Sequence, residues 1–212
     1  MILPAVSPSG RSKRMPRTKY IVGIDEVGRG PLAGPVVVGA VLLPVNLKFS
    51  RKGLRDSKKL TAQAREAWAQ RIKVHPRIAQ ALARVAPGTI DRMNISRAAN
   101  LAAFRAFRRL AIEYKLTAKN CSVYLDGGLY LGNGRARLSG NTIVKGDEKI
   151  LVVAFASIVA KVHRDRIMVR LARKHPGYGF EVHKGYGTRM HRRSIKKLGL
   201  SPEHRRSFSG AD

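Results

Sequence analysis

The sequence predicts an α/β domain, and three patterns predict it. Two runs rich in β-branched and apolar residues, Tyr20–Ile24 and Val36–Leu43, come early and read as strands. Further short strand-like runs alternate with segments whose apolar residues recur three and four apart, the spacing of a buried helix face. Helical segments then dominate the last third, which implies a sheet covered by helices. The 212 residues fit one domain of ordinary size, and 44% apolar content suffices for a core. Aromatic residues make up only 6%, so that core must rest on Val, Ile, Leu and Ala.

Residues 1–18 are rich in proline, serine and basic residues and read as a disordered cationic arm. Order begins near Tyr20. Gly28-Arg29-Gly30-Pro31 and Gly34-Pro35 form a tight loop between the first two strands. Thr61–Val74 carries helix formers behind Thr61, a suitable N-cap. Asn94–Lys115 places Ile95, Ala98, Ala102, Ala106 and Leu110 on one helical face. Ser122–Leu125 is a short strand that runs into Asp126-Gly127-Gly128, and the stretch 128–140 is glycine-rich and reads as mobile. Thr142–Val144 is a further candidate strand. Ala154–Lys174 reads as a long helix with Ala156, Ala160, His163, Ile167 and Leu171 on one stripe, and Arg189–Leu198 as a basic helix. No internal repeat is present.

Charge narrows the partner class. Lys plus Arg number 42 against 13 Asp plus Glu, a formal +29. Such an excess repels itself unless a polyanion or counterions offset it. Nucleic acid fits, because each phosphate neutralised releases condensed counterions. The single cysteine, Cys121, excludes an internal disulfide and a Cys-rich zinc site, and reads as a small buried hydrophobe. No apolar run approaches transmembrane length, and no long apolar stretch follows the basic N-terminus. The expectation is a cytoplasmic protein, monomeric and without a membrane partner.

In so basic a chain the carboxylates are the informative minority. Asp25 and Glu26 end one apolar strand, Asp126 ends another, and Asp147 follows Val144-Lys145-Gly146. Ligand sites in α/β sheets gather at strand ends. Carboxylates crowded together need cations, and hard Mg2+ or Mn2+ ions prefer all-oxygen sites. Two such ions about 4 Å apart clamp an in-line phosphoryl displacement. Adjacent strand residues point to opposite faces, so Asp25 and Glu26 share a site only if the strand ends or twists between them. Asp165 reads as the structural partner of a basic group, and His163 as a core histidine. Lys58, Lys59 and Lys184 are candidate phosphate contacts.

Several blocks occur in one order. They are Ile24-Asp25-Glu26-Val27-Gly28-Arg29-Gly30-Pro31-Leu32-Ala33-Gly34-Pro35-Val36, Asp56-Ser57-Lys58-Lys59-Leu60, and Ile90-Asp91 with Met93-Asn94-Ile95. Asp126-Gly127, Lys145-Gly146-Asp147 and Ala156-Ser157-Ile158-Val159-Ala160-Lys161-Val162-His163-Arg164-Asp165 follow, then His183-Lys184-Gly185-Tyr186-Gly187-Thr188 and His204-Arg205-Arg206-Ser207-Phe208. This series resembles the type 2 ribonucleases H across roughly residues 20–208. The resemblance implies a ribonuclease H-like fold, a central mixed sheet flanked by helices, with a C-terminal helical extension over 175–208. The catalytic domain then spans 19–208, between the arm 1–18 and a tail 209–212. It implies metal ligation by Asp25, Glu26, Asp126 and Asp147, with two Mg2+ or Mn2+ ions. It implies hydrolysis of the RNA strand of RNA–DNA hybrids and incision 5′ to a lone ribonucleotide in duplex DNA, leaving 3′-hydroxyl and 5′-phosphate ends. Roles in ribonucleotide removal and primer removal go with that activity. Gly28, Arg29 and Gly30 would meet the 2′-hydroxyl, which distinguishes RNA from DNA, and Tyr186 would stack on the next sugar. The related type 3 enzymes resemble this fold with an extra N-terminal domain, for which the residues before Tyr20 are too few. Phe155 departs from the family's small residue, and repacking near Asp147 is expected. Two rival readings share part of the pattern: a same-fold junction resolvase or integrase-like nuclease, and a basic RNA-binding or ribosome-associated protein.

Overall fold

The computed structural model describes residues 18–50, 54, 60–131 and 140–209. The arm up to residue 17, Lys58 and Lys59, the middle of the glycine-rich stretch and residues 210–212 lie outside the described residues. Five strands form one sheet: β1 (Tyr20–Val27), β2 (Val36–Pro44), β3 (Ala79–Val85), β4 (Cys121–Asp126) and β5 (Asn141–Ile143). Their order is β3-β2-β1-β4-β5. The first three pair antiparallel, whereas β4 runs parallel to β1 and β5 parallel to β4. The helices are α1 (Ala62–Val74), α2 (Pro87–Met93), α3 (Ile95–Glu113), α4 (Gly146–Lys149), α5 (Leu151–Lys174), α6 (Phe180–His183), α7 (Arg189–Leu198) and α8 (Arg206–Ser209). The expected mixed sheet with flanking helices is the observed fold.

Side-chain alternation divides the core. Val22 and Ile24 of β1 face α3, where Ala98, Ala102 and Ala106 make a flat, small-residue surface. Val41 and Leu43 of β2 face Trp68 and Ile72 of α1 and Val152 and Phe155 of α5. Thr61 caps α1, its side chain accepting from the Ala64 amide, and Asn94 caps α3 by accepting from Arg97.

Two differences from expectation have physical reasons. Strand β3 reads AQALARV, a string of good helix formers, and becomes a strand by pairing with β2. Helix α5 starts at Leu151, before the expected Ala154. The β-branched Val152 and Val153 lower helix propensity, but both are buried. Phe155 is wholly buried. It points toward α1, with ring centroids 5.1 Å from Phe49 and 6.2 Å from Trp68.

Helix α5 lies almost on the sheet backbone. A Cβ on Gly23 would come 2.3 Å from the Val152 carbonyl carbon, and one on Gly39 would come 2.5 Å from the Ala156 oxygen. Gly23→Ala is therefore expected to destabilise the fold by roughly 1–3 kcal/mol, as overpacking does. A urea midpoint equal to the parent's would show that α5 yields without strain. The C-terminal segment is stitched to the β1–β2 loop: Gly34 donates to the Glu203 carbonyl and Arg205 to that of Leu32, both at 2.8 Å. No helix among the described residues is long and apolar enough to cross a membrane.

Candidate active site

Strand β1 does not end at Ile24, as the sequence suggested, but continues to Val27 against β2. Its other neighbour stops first: pairing with β4 ends at Ile24↔Leu125. Beyond that point one side of β1 is open. Side chains from both faces of the strand reach the same opening, which resolves the alternation problem without a break between Asp25 and Glu26. Asp126 closes β4, paired to Ile143 of β5. Asp147 is not at a strand end. Strand β5 stops at Ile143, and Asp147 sits in the single turn of α4.

All four carboxylates line one cavity of about 320 Å³, together with Arg65, Ser157, Lys161 and Tyr186. Asp25 and Asp147 are buried, each 5% exposed. Asp25 Oδ1 accepts from the Glu26 amide at 2.7 Å, and Asp126 Oδ1 accepts from the Gly146 amide at 2.7 Å. The second contact ties α4, and with it Asp147, to the end of β4. Burial, then the charges of Glu26 and Asp126, push the Asp25 carboxyl up to about 8, against the pull of the Ser157 hydroxyl. Glu26 is also raised, by burial first, although Arg29 beside it pulls the other way. Arg29 Nε lies 2.6 Å from Glu26 Oε1, while Glu26 Oε2 is buried with no hydrogen-bond partner.

This donor set fits a hard divalent cation. It offers carboxylate oxygens, one of them orphaned, and burial together with the neighbouring carboxylates raises Asp25. Among the described residues, no three His, Cys, Asp or Glu side chains are already drawn into a ready-made metal site. The carboxylates share a cavity but do not yet converge on one point.

The loop after β1 is held from below by two buried arginines, Arg164 and Arg205, which stand in the motif blocks but to which the sequence assigns no role. Arg164 of α5 donates to the carbonyls of Pro35, Lys184 and Ala33 at 3.0, 3.0 and 3.1 Å. Arg205 donates to Gly34 through Nε at 3.0 Å and Nη2 at 2.9 Å, to Arg29 at 2.8 Å and to Gly28 at 2.6 Å. Gly28 has φ +92, and a Cβ there would strike Arg164 Nε at 2.2 Å, so both backbone and packing require glycine. In a trans peptide the carbonyl and the next amide point opposite ways. With the Gly28 and Arg29 carbonyls drawn onto Arg205, the amides of Arg29 and Gly30 face outward. A Cβ on Gly30 would meet nothing within 4 Å. In a chain with 42 basic residues, no pattern marks Arg164 and Arg205 as buried. Ser157, whose hydroxyl bonds Asp25, likewise stands in a motif block without an assigned role.

Tyr186 reaches the cavity, 42% exposed, with Arg164 Cζ 5.9 Å from its ring centroid. Lys184 lies elsewhere, on a neighbouring groove with Arg65, Arg166 and Arg173, its ammonium donating to the Glu181 carbonyl. Asp165 pairs with Lys161 at 2.7 Å, as expected of a structural partner. His163 is half-buried beside β3, and Cys121 is buried, its thiol pushed up to about 11 by desolvation.

Comparison with known proteins gives the same architecture. The chain is 45% identical over 191 residues to ribonuclease HII of Paracoccus denitrificans, covering 90% of this chain and 85% of that protein. It is 49% identical over 189 residues to ribonuclease HII of Cereibacter sphaeroides, covering 89% and 83%. Among solved structures, ribonuclease H2 from Pyrococcus horikoshii OT3 superposes with a TM-score of 0.65 at 25% identity, covering 91% of this chain and 95% of that one. A structure of Bst-RNase HIII in complex with Mn2+ shares the fold, with a TM-score of 0.69 at 21% identity over 97% of this chain and 72% of that one. The family model of ribonuclease HII matches residues 22–211. A mixed sheet with carboxylates gathered where β1 outruns β4, and this breadth of likeness, place the chain in the ribonuclease HII family, as an endoribonuclease.

Proposed function

We propose that this endoribonuclease hydrolyses the RNA strand of RNA–DNA hybrids and incises duplex DNA 5′ to a single embedded ribonucleotide, leaving 3′-hydroxyl and 5′-phosphate ends. The observation that carries this reading is the shared cavity: Asp25, Glu26, Asp126, Asp147 and Tyr186 line the same space. Asp25, Glu26, Asp126 and Asp147 would hold two Mg2+ or Mn2+ ions; the neighbour solved with Mn2+ shares this fold. Bound there, such ions activate water and neutralise charge on the leaving oxygen.

The chain's own residues supply selection. The outward amides of Arg29 and Gly30, with the open space over Gly30, suit a 2′-hydroxyl at close approach. The Arg29 side chain is already engaged by Glu26 and the Gly128 carbonyl, so the peptide groups are the recognising part. Tyr186 stacks on the following sugar, where a deoxyribose fits, so an RNA–DNA junction is sensed. Lys184, with Lys58 and Lys59, holds backbone phosphates flanking the cut. The protein works as a cytoplasmic monomer in ribonucleotide removal from DNA and in removal of RNA primers.

A labelled duplex carrying one ribonucleotide tests the reading. Cutting on the 5′ side of that nucleotide is expected with Mg2+ or Mn2+ and none with chelator. Equal cutting of an all-DNA duplex would favour the junction-resolvase reading, and no cutting of any hybrid would favour a binding protein. Binding is also expected to weaken steeply as salt rises, because phosphate contacts release counterions. A flat salt titration would remove the basic surface from the interface.

A further inference from the structure

Behind Tyr186 lies a buried cluster of three histidines that no catalytic step uses. His183, His191 and His204 are all buried, and the first two rings stack with centroids 4.3 Å apart. Each ring meets a backbone group whose role is fixed, so its tautomer follows. The Ser201 amide donates to His204 Nδ1 at 2.9 Å, and the Ser201 hydroxyl lies 2.8 Å from the same nitrogen. His204 Nδ1 is therefore an acceptor, and the ring proton sits on Nε2. The Tyr186 carbonyl can only accept, and His191 Nδ1 lies 3.0 Å from it. His191 thus carries its proton on Nδ1, leaving Nε2 as an acceptor. The two Nε2 atoms face each other at 3.0 Å. Two independently fixed tautomers prove complementary: His204 donates, His191 accepts, and His191 donates onward to Tyr186. His183 is fixed in the same way, accepting from the Gly185 amide at 3.1 Å and donating to the Tyr178 carbonyl at 2.7 Å.

We infer that the His204–His191 relay is a positioning device that sets the backbone at Tyr186, and through it the enzyme's selectivity for an RNA–DNA junction. The inference rests on the proposed stacking role of Tyr186. The relay holds the Tyr186 carbonyl together with the Thr188 amide at 2.8 Å, while the Tyr186 amide donates to the His183 carbonyl at 3.0 Å. Both ends of the residue are thereby pinned, while Tyr186 itself stays exposed. Leu32 donates to the Gly185 carbonyl at 2.8 Å, so the glycine loop and the Tyr186 turn are placed as one unit.

The relay works only with neutral rings, since a further proton would set two N–H groups against each other. Burial, then His183, depresses His191 to about 4, and burial, then His175 and His183, depresses His204. Among the described residues, the titratable groups near the pair include His183 on α6, His175 just after α5, Tyr178 against the His204 ring, and Glu203 and Arg205 flanking His204 in sequence. Among the described residues, no carboxylate is among the charges that shift either ring. The folded pKa of His191 lies below the unfolded one, so its contribution is complete above about 6.5 and is lost as pH falls toward 4.

Nitrogen-15 spectra of the histidine side chains at pH 7 test the relay in the intact protein. His191 is expected as the Nδ1–H tautomer, with His183 and His204 as Nε2–H. A charged His191, or one protonated on Nε2, overturns the inference. The functional test is the ratio of cutting at a lone ribonucleotide to cutting within a continuous hybrid. His191→Phe keeps a ring but loses both bonds, and should lower that ratio about five- to tenfold, the worth of one hydrogen bond. His191→Asn retains a donor for Tyr186 and should recover most of it. His204→Leu, one ring further away, is the second variant if His191→Phe does not fold, and should shift the ratio in the same direction. An unchanged ratio in a folded relay variant, with Tyr186→Ala lowering it, refutes the relay alone. An unchanged ratio in Tyr186→Ala refutes the stacking role itself.

Discussion

Asp25→Asn abolishes cleavage, lowering the rate at least about a thousandfold, the scale seen when a charge-stabilising group is removed from an active site. Hybrid binding survives, because loss of a negative charge does not weaken attraction for phosphate. The same substitution stabilises the protein in chelator. Asp25 is raised to about 8 by burial, then by Glu26 and Asp126. Its folded pKa exceeds the unfolded one, so the folded state retains a proton that the unfolded chain releases, and stability falls as pH rises from about 4 through about 8. Asparagine is neutral throughout. Melting temperatures in chelator should therefore favour Asp25→Asn at pH 8, with the gap closing toward pH 4. A variant no more stable than the parent at pH 8 would mean that burial and the neighbouring carboxylates do not penalise a charged Asp25.

Arg205→Met causes the largest loss of stability outside the hydrophobic core. The fork of Arg205 satisfies the carbonyls of Gly28, Arg29 and Gly34 at once. Methionine matches its length and fills the space but leaves those oxygens unpaired. Each buried carbonyl left unpaired costs about 1–3 kcal/mol. Because the same contacts turn the Arg29 and Gly30 amides outward, cutting at a lone ribonucleotide falls even where the fold survives. Arg205→Lys recovers only part, since a point charge does not reproduce a planar fork. Thermal melts and the junction assay read both effects. A melt within about 1 kcal/mol of the parent would show that water replaces the guanidinium.

The sequence made the carboxylates conspicuous because they are rare in a basic chain and fall at the ends of apolar runs. It could not show that β1 outruns β4, because strand length depends on pairing partners. Asp147 was legible as a candidate and misplaced in structure, since a single helical turn has too few residues for a periodic signal. Strand β3 was invisible for a different reason: its residues prefer helix, and only its place beside β2 makes it a strand. Arg164 and Arg205 illustrate the limit of composition. Among so many arginines, burial is decided by carbonyls brought together from the β1–β2 loop and the Tyr186 turn. The histidine blocks were legible as motifs, but their mutual contact was not.

Anomalous X-ray scattering from crystals grown with Mn2+ and an uncleavable hybrid tests most directly whether this acidic opening is a metal centre. Density is expected in the cavity, with Asp25 and at least two of Glu26, Asp126 and Asp147 drawn in to about 2.0–2.2 Å from an ion. Manganese bound elsewhere, with these side chains still apart and cleavage still manganese-dependent, would contradict the account.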